Sequence, residues 1–421
     1  MRLAYCTVFI VALFLSFAKA SDIFGRFSIR AYRISDQMYY DDFMAHGIGI
    51  HLNVRNILDS GFNFYVRYRE GKAPNYYTRS QSKLYDLTLS NNNLFGHFGF
   101  AVGRLNTPIV GAYGILDGFR FQYAWNHHYA FGGFWGTEPD LLTYAMKDDI
   151  KRSGVFFSID YERNYQGNFS LIRQTYLNKL DRVYLYADNE IDLSKAWSFS
   201  QFAEIDLVDE HNGSTQTTFR LTDVFADLRF APVRSFSATL SYTTHKEFKY
   251  LESMSDIPDS LFESSVDQSL GLRLNVRPLK HWRLYSHLRY GTSSADSSAE
   301  RFVALGISNY NLFSTGIYAN ARYAKHDGNY ANSNSWYFAL ERELWSGFRL
   351  RTAFRQSEID YAISAAHITS KEFDFVLSYN ISWRINAYLK GTRIYGDDIN
   401  ENRVFLELTY NLRKYADKKR P

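Results

Sequence analysis

Residues 267–277 read Asp-Gln-Ser-Leu-Gly-Leu-Arg-Leu-Asn-Val-Arg. Leu270, Leu272, Leu274 and Val276 alternate with Ser269, Gly271, Arg273 and Asn275. Successive side chains of a strand point to opposite faces, so this stretch makes one apolar face and one polar face. The same pattern returns at 348–355, where Phe348, Leu350, Thr352 and Phe354 interleave with Arg349, Arg351, Ala353 and Arg355. It returns again near the C-terminus, with Val404, Leu406, Leu408, Tyr410 and Leu412 set between Arg403, Phe405, Glu407, Thr409 and Asn411. Followed along the chain, the alternation predicts about 22 strands (a range of about 18–24) of roughly ten residues each, the first near Gly25 and the last near Asn402.

The connections carry a second rhythm. Long ones (36–45, 70–82, 105–117, 136–152, 208–216, 245–266, 291–300, 325–333, 356–370, 396–401) alternate with short ones (56–60, 91–93, 126–128, 163–166, 231–233, 278–280, 309–311, 343–346, 380–382). Between them, the stretch 177–181 is less regular. Short turns at one end, long loops at the other and apolar/polar alternation in between are the marks of a transmembrane antiparallel up-and-down β-barrel. An even strand count then places both termini on the short-turn, periplasmic side. A propeller or sandwich would pack the second strand face dry. Here nearly every polar face carries Arg, Lys, Asp or Glu, which suits a wet lumen.

Composition agrees. The chain has 421 residues, 46% hydrophobic and 22% charged, and its 33 Tyr, 34 Phe and 7 Trp make 18% aromatic. That aromatic share is roughly twice the ordinary one and excludes a disordered chain. Many of these rings close an apolar face near a strand end: Tyr68, Trp125, Trp135, Tyr161, Trp197, Tyr242, Trp282, Tyr290, Tyr323, Trp336, Tyr379 and Tyr410. Rings at such heights are expected to form the two girdles at the lipid–water boundaries.

Met1-Arg2, the apolar run 3–17 and Ala18-Lys19-Ala20 read as a secretory signal peptide cleaved after Ala20. Cleavage would remove Cys6, the one cysteine, and with it any disulfide or thiolate metal site. Lys+Arg would fall from 48 to 46 against 44 Asp+Glu, a net charge of +2, which gives no argument for nucleic acid. The expected organisation is signal peptide 1–20, barrel 21–412 and a basic periplasmic tail 413–421.

At the level of architecture, residues 21–421 resemble the bacterial outer-membrane β-barrel superfamily, porin-like in the broad sense. The resemblance rests on strand rhythm and girdles and on no signature motif. It implies an outer-membrane location, outer-membrane lipid around the barrel and handling by the barrel-assembly machinery during biogenesis. The alternation through Leu412 fits that family's terminal strand. The run-on to Lys419-Arg420-Pro421 departs from its usual aromatic ending. Plugged transporters of similar strand number carry a domain ahead of the barrel. Here the first strand begins a few residues after the expected cleavage site, so no plug is expected.

The residues expected to line the lumen are Arg26, Arg30, Arg55, Arg67, Arg69, Asp86, Arg120, Asp160, Glu162, Glu204, Asp206, Asp227, Arg273, Arg277, Arg283, Arg289, Arg349, Arg351, Arg355, Glu372, Asp374, Lys390 and Glu407. Rings of charge in a pore set ion preference. The arginines gather in the first six strands and after Asp267, the acids between Asp160 and Asp227, so a transverse field is expected.

The expected function is a channel for ions or small polar solutes, with no catalytic site, cofactor or metal. The acidic pairs Asp41-Asp42, Asp148-Asp149 and Asp397-Asp398 lack the spacing of a Ca²⁺ loop. His127-His128 reads as a solvated turn. The alternatives are a sheath around a lumen-filling partner protein, as in porin–cytochrome conduits, and a receptor or adhesin acting through its loops. A diffusion channel calls for a loop folded inward. The candidates are 136–152 and 245–266, the latter with Met254, Ile257, Pro258, Leu261 and Phe262.

Overall fold

The computed structural model describes residues 22–36, 41–57, 60–72, 81–107, 109, 111, 114–140, 143–162, 164–211, 214–246, 266–293, 299–328, 330–362, 364 and 366–414. The expected signal peptide, the core of the 245–266 connection with its apolar cluster, and the tail from residue 415 lie outside the described residues.

Alternation becomes 22 strands. The first eleven are β1 (Asp22–Asp36), β2 (Asp41–Ile57), β3 (Phe62–Lys72), β4 (Gln81–Leu94), β5 (Phe98–Asn106), β6 (Ile115–Ala124), β7 (Tyr129–Thr137), β8 (Ile150–Asp160), β9 (Tyr165–Tyr176), β10 (Lys179–Asp192) and β11 (Trp197–His211). The rest are β12 (Ser214–Val233), β13 (Phe236–Lys246), β14 (Val266–Val276), β15 (Trp282–Ser293), β16 (Ala299–Leu312), β17 (Ile317–Asp327), β18 (Ala331–Trp345), β19 (Phe348–Tyr361), β20 (His367–Asn380), β21 (Ile385–Gly396) and β22 (Asn400–Lys414). Each pairs antiparallel with the next, and β1 closes on β22 from Ile23↔Lys414 to Asp36↔Glu401. The result is a closed up-and-down β-barrel, which removes every sheet edge.

Two boundaries differ from expectation. Several connections read as long are taken up by strand: β12 starts at Ser214, β18 at Ala331 and β22 at Asn400. β22 also runs to Lys414, two residues into the expected tail. On the short-turn side, left-handed glycines close tight hairpins, with Gly96 at φ +84° and Gly347 at +79°.

The register gives the strands an inner and an outer face, interrupted by bulges such as those at Val183/Tyr184 and Glu204/Ile205. Leu270 pairs with Tyr290, Leu272 with Leu288, Leu284 with Ile307, and Phe338 with Phe354. These residues face outward, where Phe121 is 56% and Leu305 51% exposed. A continuous apolar outer wall is a surface for lipid. Of the expected girdle, Trp125, Trp197, Trp282, Tyr379 and Tyr410 lie toward the turn end. Trp135, Tyr242, Tyr290 and Trp336 lie toward the loop end. On β15 the eight steps from Trp282 to Tyr290 span about 27 Å of strand, or about 21 Å along the axis at a tilt of ~40°, close to a bilayer's apolar band. Tyr68 departs from the girdle reading. It is 7% exposed, packed into a cluster with Ile23, Leu52, Val54, Phe64 and Val66, and its hydroxyl donates to Glu70 Oε2 at 3.2 Å.

Candidate functional site: the lumen and its constriction

A circular barrel of 22 strands spaced ~4.8 Å apart and tilted ~40° has a backbone radius of about 22 Å, too wide for wall side chains to fill. What narrows it here is the connection between β5 and β6. Ile109 is 7% exposed and packs against Leu116, Phe134, Phe156, Ile172 and Tyr184 on the inner face of β6–β10. Ser170 Oγ donates to the Ile109 carbonyl at 2.8 Å. Gly111, at φ +104°, lies so near the wall that an added Cβ would sit 3.0 Å from the Tyr184 hydroxyl and 3.3 Å from Glu204 Oε1. Ile109 and Gly111 therefore lie against β9–β11, and at the base of the connection Thr107 N–H donates to Gly114 O at 2.7 Å. The wall beneath is shaped for it. A side chain on Gly154 would collide with the Phe134 ring and one on Gly132 with Phe156, so both rings lie flat over glycine.

This is not the loop the sequence reading singled out. The expected 136–152 connection does turn inward in part. Glu138 and Pro139 are buried, and the Tyr144 ring lies 4.6 Å from that of Tyr85 on β4. Arg104 stands where the β4–β5 ladder ends at Leu87↔Arg104. Its Nε and Nη2 take the Asp117 carboxylate at 2.6 and 2.5 Å, and its Nη1 donates to the carbonyls of Leu84 and Tyr144.

Toward the loop end from Ile109 lies a buried polar network that alternation alone does not assemble. Arg152 Nη2 meets Glu138 Oε2 at 2.5 Å, and its Nε donates to Gln174 Oε1 at 2.9 Å. Gln174 Nε2 passes the chain on to Asp181 Oδ2 at 2.6 Å. Arg182 Nη1 reaches Glu204 Oε2 and Asp206 Oδ1, both at 3.3 Å, with its guanidinium 3.8 Å above the Tyr184 ring. Glu204 and Asp206, expected as open lumen charges, are 6% and 2% exposed. The physical reason is that a neighbouring guanidinium and the loop above take them out of water together. Asp160 sits at the turn end of β8, where its Oδ1 accepts the Glu162 N–H at 2.8 Å, and so lies at the rim. Asp227 and Arg120 face inward from β12 and β6.

No protein-family model matches the sequence, and no curated protein matches it. The barrel is similar to the crystal structures of Pseudomonas aeruginosa OpdQ and OpdL, each with a TM-score of 0.48. The identities are 10% and 11%, over 94% of this chain and 99% of each of those. It is also similar to Acinetobacter baumannii OccAB3, with a TM-score of 0.46 and 11% identity over 94% of this chain and 99% of that one.

The opposite wall is wet and cationic. Register places Arg26, Arg30, Arg55, Arg67 and Arg69 on the inner face of β1–β3, and Arg273, Arg283, Arg289, Arg349, Arg351, Arg355 and Lys390 on that of β14–β21. Some are paired. Arg30 and Arg26 share Glu407 at 3.1 and 3.4 Å, Arg355 meets Glu372 at 3.3 Å, and Lys390 meets Asp374 at 3.0 Å. Among the described residues no carboxylate lies within ion-pair distance of Arg55, Arg67, Arg69, Arg273, Arg283 or Arg322. Exposed to lumen water, an unpaired guanidinium keeps its hydration and its full field. The described residues hold no group of three His, Cys, Asp or Glu that could grip a metal ion.

Proposed function

We propose that this barrel is an outer-membrane channel that passes small polar solutes by diffusion, with anions favoured over cations. One observation carries the reading: Ile109 is seated against the inner face of β6–β10 with its carbonyl accepting from Ser170, so the β5–β6 connection enters the lumen on that side and leaves the cationic wall of β14–β22 and β1–β3 open. The outer apolar wall supports the location, and the expected signal peptide supports export to it. A sheath needs an unobstructed lumen for its partner protein, and the inward segments occupy part of that space. Nothing in this reading asks the wall to do covalent chemistry.

Reconstitution of the purified protein into a planar bilayer tests it. Stepwise conductance is expected. In a KCl gradient the reversal potential should take the sign of preferential chloride passage, because water-exposed charges of one sign in a pore set ion preference. Silent but demonstrably inserted protein would overturn the channel reading. Cation preference would overturn the assignment of the wall.

A further inference from the structure

At the turn end of the barrel, inside the mouth where β1 begins and β22 ends, six cations converge on one recess of about 720 Å³: Lys195, Arg229, Arg234, Arg273, Arg277 and Arg283. They come from four places in the chain. Lys195 lies in the β10–β11 turn, Arg234 in the β12–β13 turn, Arg229 on β12, and the other three on or beside β14 and β15. Thr239 pairs with Arg229 on one side and Arg273 on the other, so those two arginines flank a hydroxyl in a single row across three strands, about 10 Å from end to end. Arg283 is oriented, with its Nε and Nη2 both donating to Asn275 Oδ1. Ser235, Ser237 and Asn275 add neutral polar groups to the lining.

Among the described residues no acidic side chain lines the recess. Among the described residues none of the six cations has a carboxylate within ion-pair distance, in contrast to Arg30, Arg355 and Lys390 farther round the same wall. Like charges this close lie within one Debye length of each other, so salt does not isolate them. The arrangement lowers its own energy by taking up a multiply charged anion. Guanidinium forks beside hydroxyl donors match the oxygens of such an anion. The volume falls in the range of small-ligand sites. The recess faces the lumen, inside the Trp197 and Trp282 girdle, so a lipid headgroup does not reach it.

We propose that this recess is a binding site for soluble multivalent oxyanions. The site does not depend on the pore conducting.

The test is calorimetric titration of the full barrel in detergent with inorganic pyrophosphate at low and at physiological salt. Saturable one-site binding is expected, weakening as salt rises. The double variant R273Q/R283Q should weaken it at least tenfold, while the outward-facing Arg342→Gln leaves it unchanged. Heat-dependent gel migration identical to the parent's shows that each variant is folded. Absence of binding, or equal losses in both variants, overturns the proposal. Citrate binding as tightly as pyrophosphate supports the oxyanion class with recognition by charge number. Citrate failing supports recognition of phosphoryl oxygens.

Discussion

The constriction stands on very few contacts, so it should yield to a single substitution. Ile109 contributes the buried apolar anchor, and truncating a buried Ile to Ala costs about 2–5 kcal/mol. The Ser170 hydrogen bond adds about 1 kcal/mol. Ordering the segment costs about 1–2 kcal/mol for each residue fixed, so the docked state has little to spare when either contact is lost. Ile109→Ala, at about 3 kcal/mol, lowers the docked-to-undocked ratio by about 150-fold, since 1.4 kcal/mol is a factor of ten. Ile109→Asp should undock the segment entirely, because it places a carboxylate among Phe134, Phe156 and Ile172. The assay is single-channel recording of the reconstituted protein. Ile109→Ala is expected to flicker between the parental level and a higher one, and Ile109→Asp to remain at the higher level. Ile109 belongs to no strand, so the temperature of heat-modified gel migration should stay at the parental value. Parental conductance and noise in Ile109→Asp would refute the claim that this segment narrows the pore.

Gly111→Val places a Cβ 3.0 Å from the Tyr184 hydroxyl at φ +104°, so it should lift the same segment from the other end and give the same rise in conductance. Arg182→Met removes the cation set between Glu204 and Asp206 and should cost about 3–5 kcal/mol, read as a lower urea midpoint for unfolding from detergent or lipid. Replacing all three, as R182M/E204L/D206L, should recover much of that loss, because a well-packed apolar set replaces a buried ionic one. Leu288 faces outward at mid-height, and Leu288→Arg should cost about 2–4 kcal/mol in the same assay. His287→Arg, one residue away on the lumen face beside Arg273, should leave the midpoint near the parental value and raise chloride preference.

The period-two alternation was enough to place the barrel wall. Each of the 22 strands expected from the sequence is present in the fold, because a one-residue slip would turn Leu272 and Leu288 into the lumen and Arg273 into lipid. Parity also assigns each charged position to a face, which is why Arg273, Arg351 and Glu407 can be placed inside without coordinates. What alternation does not carry is depth. Tyr68 has the right parity and height for a girdle yet is buried. Glu204 and Asp206 have lumen parity yet are sealed from it, since their burial depends on a loop whose path is not periodic. The 107–114 segment did leave a trace. Thr-Pro-Ile-Val-Gly-Ala-Tyr-Gly carries no charge and is apolar and glycine-bearing, the composition of a segment that packs rather than one that solvates.

The side of the lumen on which that segment lies follows from the wall itself. An inward segment can cover only side chains that tolerate loss of water. The inner faces of β6–β9 offer Gly118, Gly132, Phe134, Gly154, Phe156 and Ile172; of the charges on this side Arg152 and Arg182 are joined in ion pairs, and Arg120 on β6 stands outside them. The inner faces of β14–β22 offer arginines, several with no carboxylate partner among the described residues, and covering one of them would strand a charge at a cost of several kcal/mol. The dry wall therefore takes the loop, and the cationic wall stays open to water. The passage left between them is bounded on its wet side by guanidinium groups. The same separation that seats the β5–β6 connection underlies the anion preference proposed for the pore.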